Sequence, residues 1–198
     1  MTYWRAKMFN RKAASPKSMP ERVLSSLPLR PGDSVADIGA GGGYFTIRMA
    51  GKVGEEGVVY AVDTDRRSLD HIMEDAERSR VRNVKLVQTD GGAPELPDSG
   101  IDLIFMRNVL HHISNPVGYL RDLKRSLKSQ GVIAIIDYNE NGRFSFHGLF
   151  HHSVGVDDLL GWMGEAGFGK AGSFDFLPEQ SFTLFKPMVE IRDEKVLT

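Results

Sequence analysis

The sequence predicts a doubly wound α/β domain, a mostly parallel sheet with helices on both faces that is closed by an antiparallel C-terminal hairpin. Three observations predict it. Short β-branched apolar runs alternate with longer stretches whose apolar residues recur every three or four positions; a cluster of glycines stands at the first strand-to-helix junction; and the last third of the chain turns to two strand-like runs joined by a short polar link. A chain of 198 residues has room for one such core, since single domains run to roughly 100–200 residues. Residues 1–198 are therefore read as a single domain.

The strands follow in order. Ser34-Val35-Ala36-Asp37-Ile38 and Gly57-Val58-Val59-Tyr60-Ala61-Val62 are the first two, then Val84-Lys85-Leu86-Val87-Gln88 and Ile101-Asp102-Leu103-Ile104-Phe105-Met106. Val132-Ile133-Ala134-Ile135-Ile136 is apolar enough to be buried on both faces, as the centre of a parallel sheet requires. Residues 44–50, 66–80 and 116–128 lie between strands and carry helical spacing; Val117, Leu120, Leu123 and Leu127 show it most clearly. Strand, helix, strand in repetition predicts right-handed crossovers, with ligands at the carboxyl ends of the strands where the winding reverses. Residues 156–166 read as a final helix stopped by Gly167, and residues 168–177 and 181–186 as two strands linked by Pro178-Glu179-Gln180.

Gly39-Ala40-Gly41-Gly42-Gly43 connects the first strand to its helix. Glycines there accept positive φ, let a ligand lie against bare backbone and can expose amide hydrogens at a helix N-terminus. Asp63 ends the second strand at about the distance past the loop, roughly 20 residues, where a carboxylate meets the hydroxyls of a ribose. Asp90, followed by Gly91, ends the third strand and is placed to meet an exocyclic amine of adenine. Either aspartate alone could be a turn or cap residue. Together with the loop they imply a nucleoside, and the order Gly39-x-Gly41-x-Gly43 after Asp37 differs from the G-x-G-x-x-G that holds a pyrophosphate.

These residues resemble the class I S-adenosylmethionine-dependent methyltransferases, a Rossmann-like family, along most of the chain. Pro31-Gly32-Asp33-Ser34-Val35-Ala36-Asp37-Ile38-Gly39-Ala40-Gly41 looks like the family's first strand and loop, Tyr60-Ala61-Val62-Asp63 like its ribose-binding strand end, and Gln88-Thr89-Asp90-Gly91 like its adenine-contacting segment. Ile101-Asp102-Leu103-Ile104 through Asn108-Val109-Leu110-His111-His112-Ile113 is similar to the small-molecule branch that includes ubiquinone and menaquinone methyltransferases, the type 11 group, and Leu127-Lys128-Ser129-Gln130-Gly131-Val132 to the lead into the fifth strand. The resemblance implies a seven-stranded sheet whose last strand is antiparallel. It also implies S-adenosylmethionine as cofactor, S-adenosylhomocysteine as product, and a cofactor site of Asp37, Gly39, Ala40, Gly41, Gly43, Asp63, Thr64, Asp90, Gly91, Arg107 and Asn108, the last two toward the methionine end. Gly42 departs from the family, where many members carry Thr or Ser.

Methyl transfer from a sulfonium is an in-line displacement driven largely by positioning, so a general base is optional. His111, His112 and His152 are the candidate bases, with His147 and His151 nearby, since histidine titrates near neutral pH. The cluster His147-Gly148-Leu149-Phe150-His151-His152 lacks a matching distant set of ligands, and no metal is expected. Residues 1–20, with Tyr3, Trp4 and Phe9, are expected to form a lid, as the segment before the first strand often does in the resembling family. Tyr44 would join that aromatic cover.

Composition removes other chemistries. With no cysteine, disulfides, thiolate metal sites and thiol nucleophiles are excluded, and with them arsenic methylation by a cysteine trio and 5-cytosine methylation. Arg107-Asn108-Val109-Leu110 stands where exocyclic-amine DNA methyltransferases carry a Pro-Pro-aromatic element, and a net charge of −1 gives no bulk attraction to nucleic acid. A small-molecule or lipid-like acceptor is expected, nucleic acid is not. Residues 1–20 hold no continuous apolar stretch, so no transmembrane segment is expected and the cytoplasm is the default location. A module that binds the cofactor without turnover has the same signature, and a nicotinamide-dependent oxidoreductase is disfavoured by the glycine spacing. The acceptor and the oligomeric state are not legible.

Overall fold

A computed structural model describes residues 3–138 and 154–188, with side chains from Ala6 onward. Two helices precede the sheet: α1 (Tyr3–Ala13) and, after a 3₁₀ turn at Pro16–Ser18, α2 (Pro20–Ser26). Then come β1 (Ser34–Ile38), α3 (Tyr44–Val53), β2 (Val58–Asp63), α4 (Arg66–Arg78), β3 (Val84–Gln88), β4 (Ile101–Arg107) and α5 (Pro116–Ser126). The chain closes with β5 (Leu127–Tyr138), α6 (Val156–Glu165), β6 (Phe168–Phe174) and β7 (Gln180–Pro187).

The seven strands lie in the order β3-β2-β1-β4-β5-β7-β6. β1 pairs in parallel with β2 and β4, and β4 in parallel with β5, whereas β7 runs antiparallel to both β5 and β6. The winding reverses between β1 and β4, which opens a crevice at their carboxyl ends. This is the doubly wound sheet with a closing hairpin that the periodicity predicts, and its strand order is seven-stranded as the resemblance implies.

Alternation along the strands sorts the core onto two faces. Val35, Leu103, Phe105, Ala134 and Ile136 pack with Met49 and Val53 of α3 and with Leu69 and Ile72 of α4. Ala36, Ile38, Ile104, Met106, Ile133 and Ile135 meet Leu120 and Leu123 of α5 and Leu159 and Met163 of α6. Because β4 and β5 are covered on both sides, they read as continuous apolar runs. Local signals fix the helix starts: Asp65 accepts the Arg67 N–H to cap α4, and Asn115 accepts the Gly118 N–H at 3.1 Å to cap α5, with Pro116 at its first position.

Several boundaries differ from the sequence reading: α5 ends at Ser126 and β5 begins at Leu127, so Leu127 and Lys128, read as helical, belong to the strand, and residues 20–26, to which the periodicity gave no element, form α2. β5 extends past Ile136 to Tyr138, carrying Asp137 and Tyr138 to the crevice edge, because β7 pairs with it that far. The first hairpin strand stops at Phe174, short of Leu177, where its pairing with β7 ends at Phe182. Residues 3–13, to which the periodicity gave no element, form α1, whose Ala6 is buried. No helix among the described residues is long and apolar enough to cross a membrane.

Candidate functional site

The glycine loop leaves β1 with Gly39, Gly41 and Gly43 all at positive φ, a geometry side-chained residues avoid. Its amides turn inward. Gly39 and Ala40 donate to the Val62 carbonyl at 2.8 and 2.9 Å, Gly43 donates to Ala40, and Gly41 donates to Asp63 Oδ2 at 2.8 Å. A Cβ at Gly39 would run into the Val109 side chain and one at Gly41 would meet Phe9, and the amide hydrogens of Gly39, Ala40, Gly41 and Gly43, which the sequence reading held available, are engaged within the protein.

Asp63 stands at the end of β2, half-buried, and also accepts the Asp65 N–H at 2.9 Å. A carboxylate has about four lone-pair sites, so two acceptor positions are left for a ligand. Asp37 lies behind the loop, almost fully buried, and accepts the Thr46 hydroxyl at 2.5 Å. Burial pushes its carboxyl up to about 7; the Thr46 hydrogen bond opposes this and the neighbouring Asp63 charge adds to it.

Gly42 is the floor on which α1 rests. A Cβ there would collide with the Ala6 carbonyl oxygen and the Asn10 side chain, so the absent Thr or Ser hydroxyl has a structural cause. Asn10 Oδ1 accepts the Tyr44 N–H at 3.1 Å and so supplies from α1 the cap that α3 lacks in its own sequence.

Across the crevice, β4 ends in Arg107 and Asn108. Arg107 stacks over Phe45, 5.2 Å to the ring centroid, and donates to Gln180 Oε1 at 3.2 Å. Gln180 in turn donates to Asn108 Oδ1 at 2.5 Å, so β7 braces this corner. Asn108 holds φ 56°, an uncommon backbone state for a non-glycine residue that recurs at functional sites. Arg107 Nε is buried without a hydrogen-bond partner among the described residues, and burial lowers the guanidinium pKa. An unsatisfied buried cation of this kind favours an anion beside it.

Beyond Asn108 a 3₁₀ turn at Leu110–His112 presents two histidines. His111 Nδ1 lies 2.6 Å from Asp137 Oδ1 at the end of β5, and Asp137 itself is wholly buried. The His112 ring sits 4.0 Å from that of His111, centroid to centroid.

These groups line one cavity of about 940 Å³, near the upper end of the roughly 300–1,000 Å³ usual for small-molecule sites. One side is lined by Asp37, Gly39, Ala40, Gly41, Asp63 and Thr64; the other by Arg107, Asn108, His111, His112, Tyr119 and Tyr138. Phe9 and Tyr44 of the expected aromatic cover also line it, as does Gly91. Gly43 and Asp90 do not: Gly43 is buried against Ile72, and Asp90 is exposed with its carboxylate turned back onto the Gly92 N–H at 3.0 Å. His147, His151 and His152 lie outside the described residues, as do the side chains of Tyr3 and Trp4. Among the described residues no group of three or more metal-ligating side chains comes together.

Sequence reasoning passed over Asn10, Thr46, Asp137 and Gln180. Asp137 carried a signal, an ionisable residue directly after the doubly buried run Val132-Ile133-Ala134-Ile135-Ile136. The other three are placed only by tertiary contacts.

Comparison with known proteins converges on one family. The family model described as a methyltransferase domain matches residues 29–167. A tRNA U34 carboxymethyltransferase of Actinobacillus succinogenes is 29% identical over 75% of this chain and 49% of its own length. A ubiquinone/menaquinone biosynthesis C-methyltransferase of Vibrio vulnificus is 29% identical over 76% of this chain and 57% of its own. The chain thus spans about half the length of these curated relatives. A solved structure of a SAM-dependent methyltransferase from Aquifex aeolicus superposes with a TM-score of 0.80 at 25% identity, over 90% of this chain and 96% of that one.

Proposed function

The chain belongs to the methyltransferase domain family, and from that membership we propose that it transfers a methyl group from S-adenosylmethionine to a small-molecule or lipid-like acceptor. The observation that carries the proposal is Asp63, whose carboxylate accepts the Gly41 N–H beside the switch point and keeps acceptor capacity toward the cavity. The site fits the cofactor in two further respects. Arg107 places a guanidinium on the cavity wall, which suits the carboxylate of a methionine moiety. Asp63 supplies negative potential, which suits a sulfonium and an ammonium.

When bound, the cofactor supplies an electrophilic methyl group on a sulfonium. The chain's own residues would do the rest. Asp63 would receive the ribose hydroxyls, Gly39 and Gly41 would line the nucleoside's side of the cavity, and Arg107 would fix the amino-acid end. The wall of Val109, Ile113, Tyr119 and Tyr138 would hold the acceptor in line and shut out water. The aromatic and aliphatic character of that wall supports an apolar or aromatic acceptor, and the net charge of −1 supports a partner other than nucleic acid.

The test is incubation with methyl-tritiated S-adenosylmethionine and, in parallel, an organic metabolite extract and total tRNA. Label passing into the organic-soluble fraction is the expected outcome. Label confined to the tRNA would overturn the small-molecule reading.

A further inference from the structure

We propose that Gln180 is a positioning residue for the amino-acid end of the cofactor: its amide sets Arg107 and Asn108 as a pair of donors that reads a carboxylate. The inference rests on the methyl-transfer reading of the cavity and deepens it at one corner.

The topology brings the three residues together. β4 and β5 run parallel and end at the crevice, whereas β7 is antiparallel to β5 and begins there, with Gln180 opposite Tyr138. The first residue of β7 therefore stands on the edge that the last residues of β4 form. β5 lies between the two strands, a gap of roughly 10 Å at the usual spacing of about 4.8 Å per strand. Only a long side chain bridges it. Gln180 does so while staying buried, at 8% exposure.

Hydrogen-bond chemistry leaves this relay one polarity. A guanidinium can only donate, so the oxygen of the Gln180 amide must face Arg107, and Oε1 accepts from Arg107 Nη2 at 3.2 Å. The other end of the amide can then only donate, and Nε2 donates to Asn108 Oδ1 at 2.5 Å. With its oxygen committed to Gln180, the Asn108 amide turns its two N–H donors the other way, and Asn108 lines the cavity. Its backbone is fixed as well, at φ 56° and with its N–H donating to the Ile136 carbonyl at 2.8 Å. Arg107 is held against the Phe45 ring, 5.2 Å from the centroid. A guanidinium and an amide –NH₂ side by side on one wall match the oxygens of a carboxylate, and a charge-assisted pair of this kind is among the stronger hydrogen-bond arrangements.

The residue type at position 180 therefore decides what the corner recognises. An ionised Glu would keep the Arg107 contact but can only accept, so Asn108 would have to turn its –NH₂ toward it and present Oδ1 to the ligand. Met would fill similar space and leave the Asn108 amide without this brace.

The experiment measures S-adenosylhomocysteine, decarboxylated S-adenosylhomocysteine and 5′-methylthioadenosine by calorimetric titration against wild type, Gln180→Glu and Gln180→Met. In Gln180→Glu the affinity for S-adenosylhomocysteine should fall about ten- to a hundred-fold, with both ligands that lack the carboxylate binding as in wild type or tighter. Gln180→Met should lose only a few-fold, because Asn108 still has donors to offer. A side chain that merely fills space and braces the fold would rank the other way, since Glu retains a bond to Arg107 and Met retains neither. A spectroscopic signature separates polarity from charge. In wild type the side-chain ¹H–¹⁵N pair of Asn108, assigned by its loss in Asn108→Asp, should shift on adding S-adenosylhomocysteine and stay in place with 5′-methylthioadenosine. If Gln180→Glu does not fold, these resonances and Gln180→Met decide. Wild-type S-adenosylhomocysteine affinity in Gln180→Glu, a larger loss in Gln180→Met, parallel losses for all three ligands, or an Asn108 pair that S-adenosylhomocysteine leaves unmoved would each overturn the proposal and leave the cofactor reading standing. Failure of the wild type to bind S-adenosylhomocysteine would instead overturn the cofactor reading.

Discussion

Asn10 Oδ1 accepts the backbone N–H of Tyr44 at 3.1 Å, so a residue of the first helix caps the helix that follows the glycine loop, 34 positions away. The glycine loop and the N-terminal helix are thereby tied together. Removing the cap in Asn10→Ala should cost about 0.5–2 kcal/mol, measured as a lowered midpoint in urea unfolding. Gly42→Ser, which restores the hydroxyl common in the family, should displace α1, because its Cβ has no room beside Ala6 and Asn10. Limited proteolysis checks this: cleavage within residues 1–20 should be several-fold faster in Gly42→Ser than in the wild type, and equal rates would count against a docked α1.

Asp63→Ala should weaken S-adenosylhomocysteine binding by about 1–3 kcal/mol through lost charge-assisted hydrogen bonds to the ribose. Part of that loss will come from freeing the Gly41 N–H that Asp63 now accepts. Calorimetric titration of the two proteins gives the difference, and a wild-type dissociation constant in the variant would remove Asp63 from the site.

Arg107→Met should separate the two ends of the ligand. The Arg107 side chain lines the cavity, so S-adenosylhomocysteine affinity should fall by about 1.5–3 kcal/mol, the worth of a hydrogen bond to a charged group. 5′-Methylthioadenosine, which lacks the amino-acid carboxylate, should bind both proteins alike. Parallel losses for the two ligands would mean that Arg107 only braces the fold.

Asp37 makes stability depend on pH. Its folded-state pKa of about 7 exceeds the ordinary 3.8, so the folded state holds the proton more tightly than the unfolded one. The associated stability is complete below about pH 4 and is lost as pH rises through 7, and the full shift corresponds to about 4 kcal/mol. Urea unfolding at pH 5 and pH 8 should show part of this loss in the wild type and a flatter dependence in Asp37→Asn. An unchanged slope would place the proton elsewhere.

The architecture was legible because β1, β4 and β5 are buried on both faces and declare themselves as apolar runs, and because Asp65, Asn115 and Pro116 mark helix starts by local chemistry. The place of Asp63 on the cavity wall was legible for the same reason, since it ends a strand. What escaped was non-local. α1 has a weak apolar face of its own, and what its Ala6 and Asn10 do is decided by a loop more than thirty residues on. The amide hydrogens of the glycine loop looked available because no local pattern shows that Val62 and Asp63 already take them. Asp90 lies two residues past the end of β3, whereas Asp63 ends β2, and the Gly91-Gly92 turn gives its carboxylate a nearby partner.

The central claim is that the cavity is built for an adenosyl-sulfur cofactor. Its most direct test is calorimetric titration of the purified protein with S-adenosylmethionine and S-adenosylhomocysteine, with NAD as control. The expected result is saturable binding of both sulfur nucleosides with a dissociation constant in the micromolar range and no heat beyond dilution with NAD. Binding of NAD, or no binding of either sulfur nucleoside by folded protein, would contradict it.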